Sequence, residues 1–275
     1  MKKLKIISSL FVIIVGIFAG GNSLFAASEN ITMTGSTTVL PLAQRAAESF
    51  MDIYDDISVS VRGGGSGVGI AALIDGRADI ANSSRAIKNK EIELAKEKGK
   101  APYANVVAID GIAVVVHPDN PLNSVSIEDL KKIYTGEVKN WKALGGSDKA
   151  IVVISRDYSS GTFEVFKELV LEGAKVTGDA LMLASNKAVS TTISTTPDAV
   201  GYIGLGYLSK GVKALKINGV EAGEETVREG EYKLARPLFM YTNGEPKGII
   251  KTFMDFVFSS QGQEIARELG YVPVK

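Results

Sequence analysis

Hydrophobic and polar positions along this chain follow two alternating periods. Residues 57–61 alternate apolar and polar side chains, which predicts a half-buried strand. Residues 39–54 instead repeat apolar side chains at helical spacing, which predicts an amphipathic helix. Segments of these two kinds succeed each other along the chain. This alternation is typical of α/β proteins with parallel sheets, in which ligands bind at the carboxyl ends of the strands.

The alternation continues to the end of the chain. The predicted strands cover residues 30–34, 57–61, 78–81, 106–116, 151–154 and 199–205. The predicted helices cover residues 39–54, 68–75, 91–98, 126–134, 162–171 and the closing segment 249–269. Asp110 and Gly111 interrupt the long apolar run of the fourth strand. Ser126 is expected to cap the fourth helix, with Asp129 at its third position.

Residues 1–27 have the pattern of a secretory signal peptide. Three lysines lie among the first five residues, an apolar run covers residues 6–19, and small residues at 26 and 27 suit a cleavage site. The apolar run is shorter than the roughly 20 residues that span a bilayer. We therefore expect cleavage and export, with an uncleaved N-terminal anchor as the alternative.

The chain contains no cysteine. This excludes a disulfide framework, thiol catalysis and a lipid-modified cysteine after the signal peptide. Without such an anchor, an exported protein is either retained by a second membrane or released. We expect the periplasm of a two-membrane bacterium, with secretion as the alternative.

Charge and composition exclude one class of partner. Lys and Arg together number 31, as do Asp and Glu, so the formal net charge is zero and no basic field exists to hold nucleic acid. With 45% hydrophobic residues, the chain can build one large domain or two of ordinary size. Glycine is frequent, 29 of 275 residues, and much of it lies beside Ser and Thr.

Three loops share one arrangement, in which a strand is followed by a Gly, Ser and Thr cluster and then by a helix: residues 35–38, 63–67 and 159–162. Each would place backbone N–H groups at a helix N-terminus, where the helix dipole favours an anion. Glycine permits close approach, and hydroxyls add donors. For any single loop, helix capping or an ordinary turn is the better explanation. Three such loops together favour an anion-binding site.

Arg156 is the candidate cation. It lies four residues before Ser160, in the loop ahead of the same helix, and a planar guanidinium suits a tetrahedral oxyanion. A surface arginine paired with Asp157 or Glu164 is the alternative. Arg85 is a second candidate, for which ion pairing is the stronger expectation.

Competing motifs are incomplete. Residues 67–72 fit a dinucleotide-binding fingerprint, but no strand ending in an acid follows at the required distance. His117, the only histidine, would need a distant serine for a catalytic triad, and a single His without Cys does not suit zinc. Trp141 is expected to be a packing anchor. We predict no catalytic residue, no metal site and no cofactor.

Several motifs occur in a familiar order: residues 36–39, the GGGSG loop with Ser66, residues 78–81 leading into 83–85, residues 134–136 with 140–141, Arg156 with 160–162, and residues 199–202. Together they resemble the substrate-binding component of the high-affinity phosphate ABC transporter. The resemblance covers essentially the whole mature chain, in the shorter variant of that family. Single motifs are unspecific, but the ordered set is strong.

The resemblance implies a periplasmic-binding-protein-like α/β fold, with two lobes, a hinge and an anion cleft between the lobes. Lobe 1 would comprise residues 28–110 and 236–275, and lobe 2 residues 111–235. The implied phosphate ligands are Ser36, Thr37, Thr38 and Ser66 from lobe 1, with Arg156, Ser160, Gly161 and Thr162 from lobe 2.

One position departs from the family's pattern. Better-known members have an aspartate where this chain has Ser84, so the usual proton-accepting acid is displaced or missing. Asp110, near the lobe crossover, is the substitute candidate, and a carboxylate that only positions the hinge is the alternative. The acid matters because phosphate carries a proton at neutral pH and sulfate does not, so a buried carboxylate can separate the two.

The resemblance implies a function without catalysis. The protein would bind inorganic phosphate as a monomer and deliver it to the membrane permease subunits of an ABC transporter. The alternatives are a sulfate or molybdate binder, an adhesive or sensory protein on the same fold, and a serine hydrolase.

Overall fold

The computed structural model describes residues 29–275, so the predicted signal peptide at residues 1–27 lies outside the described residues. The strands are β1 (Glu29–Gly35), β2 (Ile57–Gly63), β3 (Ile80–Ser83), β4 (Pro102–Val116), β5 (Ser124–Val125), β6 (Val152–Arg156), β7 (Leu181–Leu183), β8 (Ala199–Gly204), β9 (Lys213–Ala214), β10 (Lys216–Ile217) and β11 (Ala235–Asn243). The helices are α1 (Leu40–Met51), α2 (Ser66–Ile74), α3 (Asn89–Glu97), α4 (Ile127–Thr135), α5 (Gly161–Leu169), α6 (Asn186–Thr195), α7 (Glu224–Arg228), α8 (Gly248–Val257) and α9 (Ser260–Glu268). In the range 29–275, none of the helices is both long and apolar enough to cross a bilayer.

Each predicted strand and helix has a counterpart, with ends that differ by a few residues. Ser126 caps α4 as predicted, because its hydroxyl oxygen accepts a hydrogen bond from the backbone N–H of Asp129 at 2.9 Å. The closing segment forms two helices, since Ser259 accepts from the N–H of Gly262 at 3.2 Å and begins α9. The hydrophobic pattern did not predict β5, β7, β9, β10, β11, α6 or α7.

The main sheet is mixed. Its strand order is β2-β1-β3-β11-β4-β8-β6-β7, with β9 beside β4, while β5 and β10 pair separately. β1 is parallel to β2 and β3, and β6 is parallel to β7 and β8. In the centre, β11 and β4 are antiparallel to each other and to their outer neighbours. The expectation of parallel sheets is therefore wrong for the centre, where the chain passes between the two ends of the sheet along β4 and returns along β11.

β4 continues through the predicted interruption at Asp110 and Gly111, over 15 residues. Its partner β11 contains Pro237 opposite Ile109, although proline lacks the N–H that a central strand needs. Ile109 exchanges both of its backbone hydrogen bonds with Val272 instead, at 2.9 and 2.8 Å. The missing donor of Pro237 therefore leaves no gap in β4.

Two hydrophobic cores lie on either side of this crossing. The first is built from residues 31–108 and 238–271. The second is built from residues 112–234 together with Val272. β4 contributes its first half to one core and its second half to the other, so Asp110 lies where the strand leaves one core and enters the next.

Aromatic packing in the second core fixes the end of β6. Phe166 stacks on Tyr202 with ring centroids 4.0 Å apart and contacts the edge of Tyr134 at 4.7 Å. The hydroxyl oxygen of Tyr202 accepts the backbone N–H of Arg156 at 3.2 Å and lies 2.9 Å from the hydroxyl of Ser155. The position of Arg156 therefore depends on this stack.

We predict that Phe166→Ala lowers the free energy of unfolding by about 3–5 kcal/mol, because it removes a fully buried ring from the stack. Chemical denaturation measures the loss. Leu169→Ala is the matched control on the same helix, since Leu169 is 36% exposed and should cost at most about 1 kcal/mol. An equally small loss for Phe166→Ala would contradict the packing described here.

Candidate anion-binding site

The predicted loops meet at the carboxyl ends of β1, β2 and β6. The backbone N–H of Gly67 donates to the carbonyl of Ser159 at 3.0 Å, which joins the second loop to the third. The hydroxyl oxygens of Thr38 and Thr162 lie 2.9 Å apart, which joins the first loop to the third. All ten predicted site residues are buried near this meeting point: Ser36, Thr37, Thr38, Ser66, Ser84, Asp110, Arg156, Ser160, Gly161 and Thr162. We call five of them the hydroxyl cluster: Thr37, Thr38, Ser66, Ser84 and Thr162.

The position where Ser84 replaces an acid lies inside this cluster. The hydroxyl oxygen of Ser66 accepts the backbone N–H of Ser84 at 3.0 Å and lies 3.3 Å from the hydroxyl of Ser84. Gly161 begins α5 directly against both serines. A Cβ at Gly161 would lie 2.3 Å from the hydroxyl oxygen of Ser66 and 2.7 Å from that of Ser84, so only glycine fits.

Thr37 and Thr38 are held from three other parts of the chain. The side-chain amide of Asn186 donates to their hydroxyl oxygens at 3.1 and 3.0 Å. The phenol of Tyr207 donates to the carbonyl of Thr37 at 2.5 Å, and that of Tyr271 donates to the carbonyl of Thr38 at 2.7 Å. Burial raises the pKa of Tyr207 to about 12 and raises the pKa of Tyr271 well above its ordinary value. Both phenols therefore stay protonated and keep donating.

Arg156 ends β6 with its guanidinium beside the hydroxyl cluster. Nε donates to the carbonyl of Leu183 at 3.0 Å, and Nη2 donates to the carbonyl of Ala184 at 3.0 Å and to the hydroxyl of Thr37 at 3.2 Å. Nη1 is buried and has no hydrogen-bond partner among the described residues. Burial lowers the pKa of Arg156, but a guanidinium stays charged at neutral pH. A fixed cation with an unused donor therefore faces the loops.

Asp110 is paired with Arg236, a residue that the sequence reasoning missed. One carboxylate oxygen accepts Nη2 and Nε of Arg236 at 3.0 and 3.2 Å, and the other accepts the backbone N–H of Leu205 at 2.9 Å. Burial raises the pKa of Asp110, and the charge of Arg236 and the hydrogen bonds to its carboxylate oppose that rise. Arg236 also donates to the hydroxyl of Thr38 at 3.2 Å, so the pair borders the cluster.

Two of the predicted hydroxyls also cap backbone groups. The oxygen of Ser160 accepts the N–H of Phe163 at 3.2 Å, and the oxygen of Ser36 accepts the N–H of Thr38 at 3.1 Å. The capping interpretation, which was the alternative for these loops, therefore holds for both serines. A hydroxyl that accepts from the backbone still has its hydrogen to donate, so capping and ligand binding are compatible.

Asn186 had a sequence signal that was overlooked. It follows β7 and Ser185 and begins α6, and Ser185 caps that helix by accepting the N–H of Ala188 at 3.0 Å. This is the same succession of strand, polar residues and helix as in the three predicted loops, without the glycine. Arg236 had no comparable signal, because it precedes Pro237 in a strand that the pattern did not predict.

The remaining candidates take structural roles. Arg85 donates to both carboxylate oxygens of Glu91 at 2.8 and 2.7 Å, so the ion-pair expectation is confirmed. Trp141 is 1% exposed within the second core, as a packing anchor should be. The ring of His117 accepts the backbone N–H of Asp119 in the loop after β4.

A cavity of about 380 Å³ lies elsewhere, at the amino end of β3, lined by Asp79, Lys100 and residues 242–247 among others. Ligands in α/β proteins bind at the carboxyl ends of parallel strands, where the hydroxyl cluster and the unused donor of Arg156 lie. The hydroxyl cluster is therefore the candidate anion site. Between residues 29 and 275, no group of three or more His, Cys, Asp or Glu side chains is arranged to bind a metal ion.

The chain matches known proteins over most of its length. The model of the PBP superfamily domain matches residues 24–261. The phosphate-binding protein PstS of Bacillus subtilis (strain 168) is 38% identical over 250 residues, which cover 90% of this chain and 82% of the relative.

Solved structures are similar over the same extent. A substrate-binding protein attributed to a phosphate ABC transporter of Clostridium perfringens, crystallised with bound phosphate, aligns with a TM-score of 0.84 and 34% identity, covering 90% of this chain and all of the other. An ABC-type phosphate transport receptor from Vibrio cholerae aligns with a TM-score of 0.72 and 32% identity, covering 88% and 99%.

We predict that Gly161→Ala weakens the binding of inorganic phosphate at least about tenfold, because its methyl group would hold α5 away from Ser66 and Ser84. Isothermal titration calorimetry measures the change. Gly178→Ala is the matched control, since a Cβ at Gly178 meets no atom within 4 Å. Equal affinities for the two variants would show that this close approach is not needed for binding.

Proposed function

We infer the function from one premise: this chain belongs to the PBP superfamily and, within it, to the family of PstS phosphate-binding proteins. It is accordingly a binding protein and not an enzyme, the phosphate-binding component of an ABC transporter. We propose that inorganic phosphate binds at the hydroxyl cluster. The observation that carries this assignment is the guanidinium of Arg156, which is 99% buried yet keeps Nη1 unused beside that cluster.

The chemistry of the proposed site suits a tetrahedral oxyanion. Hydroxyls are adjustable donors and acceptors, and hydrogen bonds from a guanidinium to an anion are roughly twice as strong as neutral ones. The start of α5 adds backbone N–H groups and the positive end of a helix dipole next to Thr162. We propose Ser36, Thr37, Thr38, Ser66, Ser84, Asp110, Arg156, Ser160, Gly161 and Thr162 as the phosphate site.

Asp110 remains our candidate for recognising the proton of phosphate. Three hydrogen bonds already end on its carboxylate, which offers about four lone-pair positions, so one position is left for a phosphate hydroxyl. Sulfate would present only acceptors to that carboxylate, and an unpaired buried group costs about 1–3 kcal/mol. This one contact would therefore favour phosphate over sulfate roughly tenfold to a hundredfold in affinity.

We propose that the two hydrophobic cores mark two lobes, residues 28–110 with 236–275 and residues 111–235. The support is that the described members of each core come from one of these parts, apart from Val272. β4 and β11 would then form the hinge, and ligands from both sides of the cleft would close around phosphate. Because the ligand would be buried, the lobes must open to release it.

PfluDING, a solved phosphate-binding protein that shares this fold, is periplasmic. We propose that residues 1–27 direct export and are cleaved, and that the mature monomer works in the periplasm, with secretion as the alternative. Its partners would be the permease subunits of a phosphate ABC transporter. Nothing in the neutral net charge favours binding to nucleic acid.

Calorimetric titration of the anion-stripped protein tests the function. We expect inorganic phosphate to bind and sulfate and molybdate to bind at least about tenfold more weakly. Failure to bind phosphate would contradict the proposal, and preferential binding of sulfate or molybdate would reassign the anion. In Asp110→Asn, the ratio of phosphate to sulfate affinity should fall about tenfold or more, because an amide offers donors as well as an acceptor and therefore no longer leaves sulfate facing only acceptors. An unchanged ratio would remove Asp110 from proton recognition and leave the function standing.

If the lobes close around phosphate, the ion pair between Lys88 and Glu164 should strengthen phosphate binding. The charged atoms of this pair lie 2.6 Å apart on opposite sides of the proposed cleft. Glu164→Gln should weaken phosphate binding by up to about fivefold, the usual range for a partly exposed pair. Lys88→Gln should have the same effect, and the double variant should lose no more than either single variant. Glu128→Gln is the control, since its partner Lys132 lies on the same helix. Additive losses would show that the pair does not act as a closing contact.

A further inference from the structure

Arg236 lies at the crossing of the two hinge strands and is 3% exposed. It is the register partner of Asp110, so β11 presents it to β4 at the point where both strands pass between the cores. Nε and Nη2, which form one edge of its planar guanidinium, both donate to Asp110. This edge accounts for the ion pair.

The other edge of the guanidinium is turned toward the hydroxyl cluster. Nη2 also donates to the hydroxyl of Thr38 at 3.2 Å, and Nη1 shares that outer edge. Nη1 is buried and has no hydrogen-bond partner among the described residues. Thr38 in turn lies 2.9 Å from Thr162 and receives the amide of Asn186. Arg156 donates to Thr37 and Arg236 donates to Thr38. Both hydroxyls receive the side-chain amide of Asn186, so the two guanidiniums border the hydroxyl cluster at neighbouring residues.

We propose that Arg236 is a second anion-binding arginine, which contacts inorganic phosphate through its outer edge while Asp110 holds its inner edge. This inference rests on the proposed function and deepens it. Two guanidiniums and one carboxylate leave the buried site with one net positive charge before phosphate enters. The site would then favour an anion more strongly than neutral hydroxyls and Arg156 alone.

A purely structural ion pair is the competing explanation. Such a pair would need only the edge that faces Asp110, and its unused buried Nη1 would be a cost without a function. Replacing Arg236 alone does not separate the two roles, because it strands the buried carboxylate of Asp110 and can destabilise the fold. The separation requires a background in which the carboxylate is already neutral.

The experiment compares Asp110→Asn with the double variant Asp110→Asn/Arg236→Gln. In the first variant Arg236 faces a neutral amide, so its further replacement strands no buried carboxylate and reports what Arg236 does for the anion. We expect the double variant to bind inorganic phosphate at least tenfold more weakly than Asp110→Asn in calorimetric titration. Its melting temperature without phosphate should be no lower than that of Asp110→Asn, because a buried cation that lacks a countercharge has been removed.

Equal or tighter phosphate binding by the double variant would overturn the inference and leave Arg236 as a structural partner of Asp110. The wild-type protein is titrated alongside. If the wild-type protein binds phosphate, equal or tighter binding by the double variant counts against the role of Arg236 alone. If the wild-type protein does not bind phosphate, the proposed function and this inference both fail. Arg228→Gln is the control for loss of an arginine, since Arg228 pairs with Glu224 on the outer surface of α7 and should leave phosphate binding unchanged.

Discussion

Burial of the Arg156 guanidinium is the constraint on which the site depends. A buried charge costs several kcal/mol unless its surroundings compensate it. Here the carbonyls of Leu183 and Ala184 and the hydroxyl of Thr37 take three of its hydrogens, and none of its bonds within the described residues goes to a carboxylate. The aromatic stack beneath β6 keeps the backbone in place. A cation that is rigid and not neutralised attracts an anion strongly, so the cost of burying it and the capacity to bind phosphate have the same origin.

Buried charge has a second use at the crossing of β4 and β11, the proposed hinge. Asp110 and Arg236 face each other on β4 and β11, where one core ends and the other begins. Their ion pair neutralises two groups that neither core could bury separately. Through the hydroxyl of Thr38, it also connects the crossing strands to the loop that starts α1. A single guanidinium therefore links the crossing of β4 and β11, the proposed hinge, to the candidate site.

The parts of the site that sequence reasoning found are those with a local signature. A strand, a run of Gly, Ser and Thr, and a helix follow each other within about ten residues. The backbone N–H groups and the dipole at the helix N-terminus then favour an anion. Asn186 lies in the same succession of strand, polar residues and helix, but that loop lacks glycine, and Asn186 was missed for that reason. The central strand β11 was missed because Pro237 argues against a strand. Only the bonds between Ile109 and Val272 make that proline acceptable in the middle of the sheet.

Local pattern alone was sufficient for six strands, for six helical segments and for the three polar loops, because each depends on residues that are close along the chain. The class of protein came from the resemblance of the ordered motifs to a known family. The tertiary structure decided which donors are consumed and which remain for a ligand. Arg85 donates from both Nη atoms to Glu91 and keeps only Nε without a partner, whereas Arg156 and Arg236 each keep Nη1, at the outer end of the guanidinium, unused among the described residues. Thr38 and Arg236 are 198 residues apart, and their contact exists only because β11 pairs with β4 in one register. Such long-range pairing is set by the packing of two cores, which no local window of sequence contains.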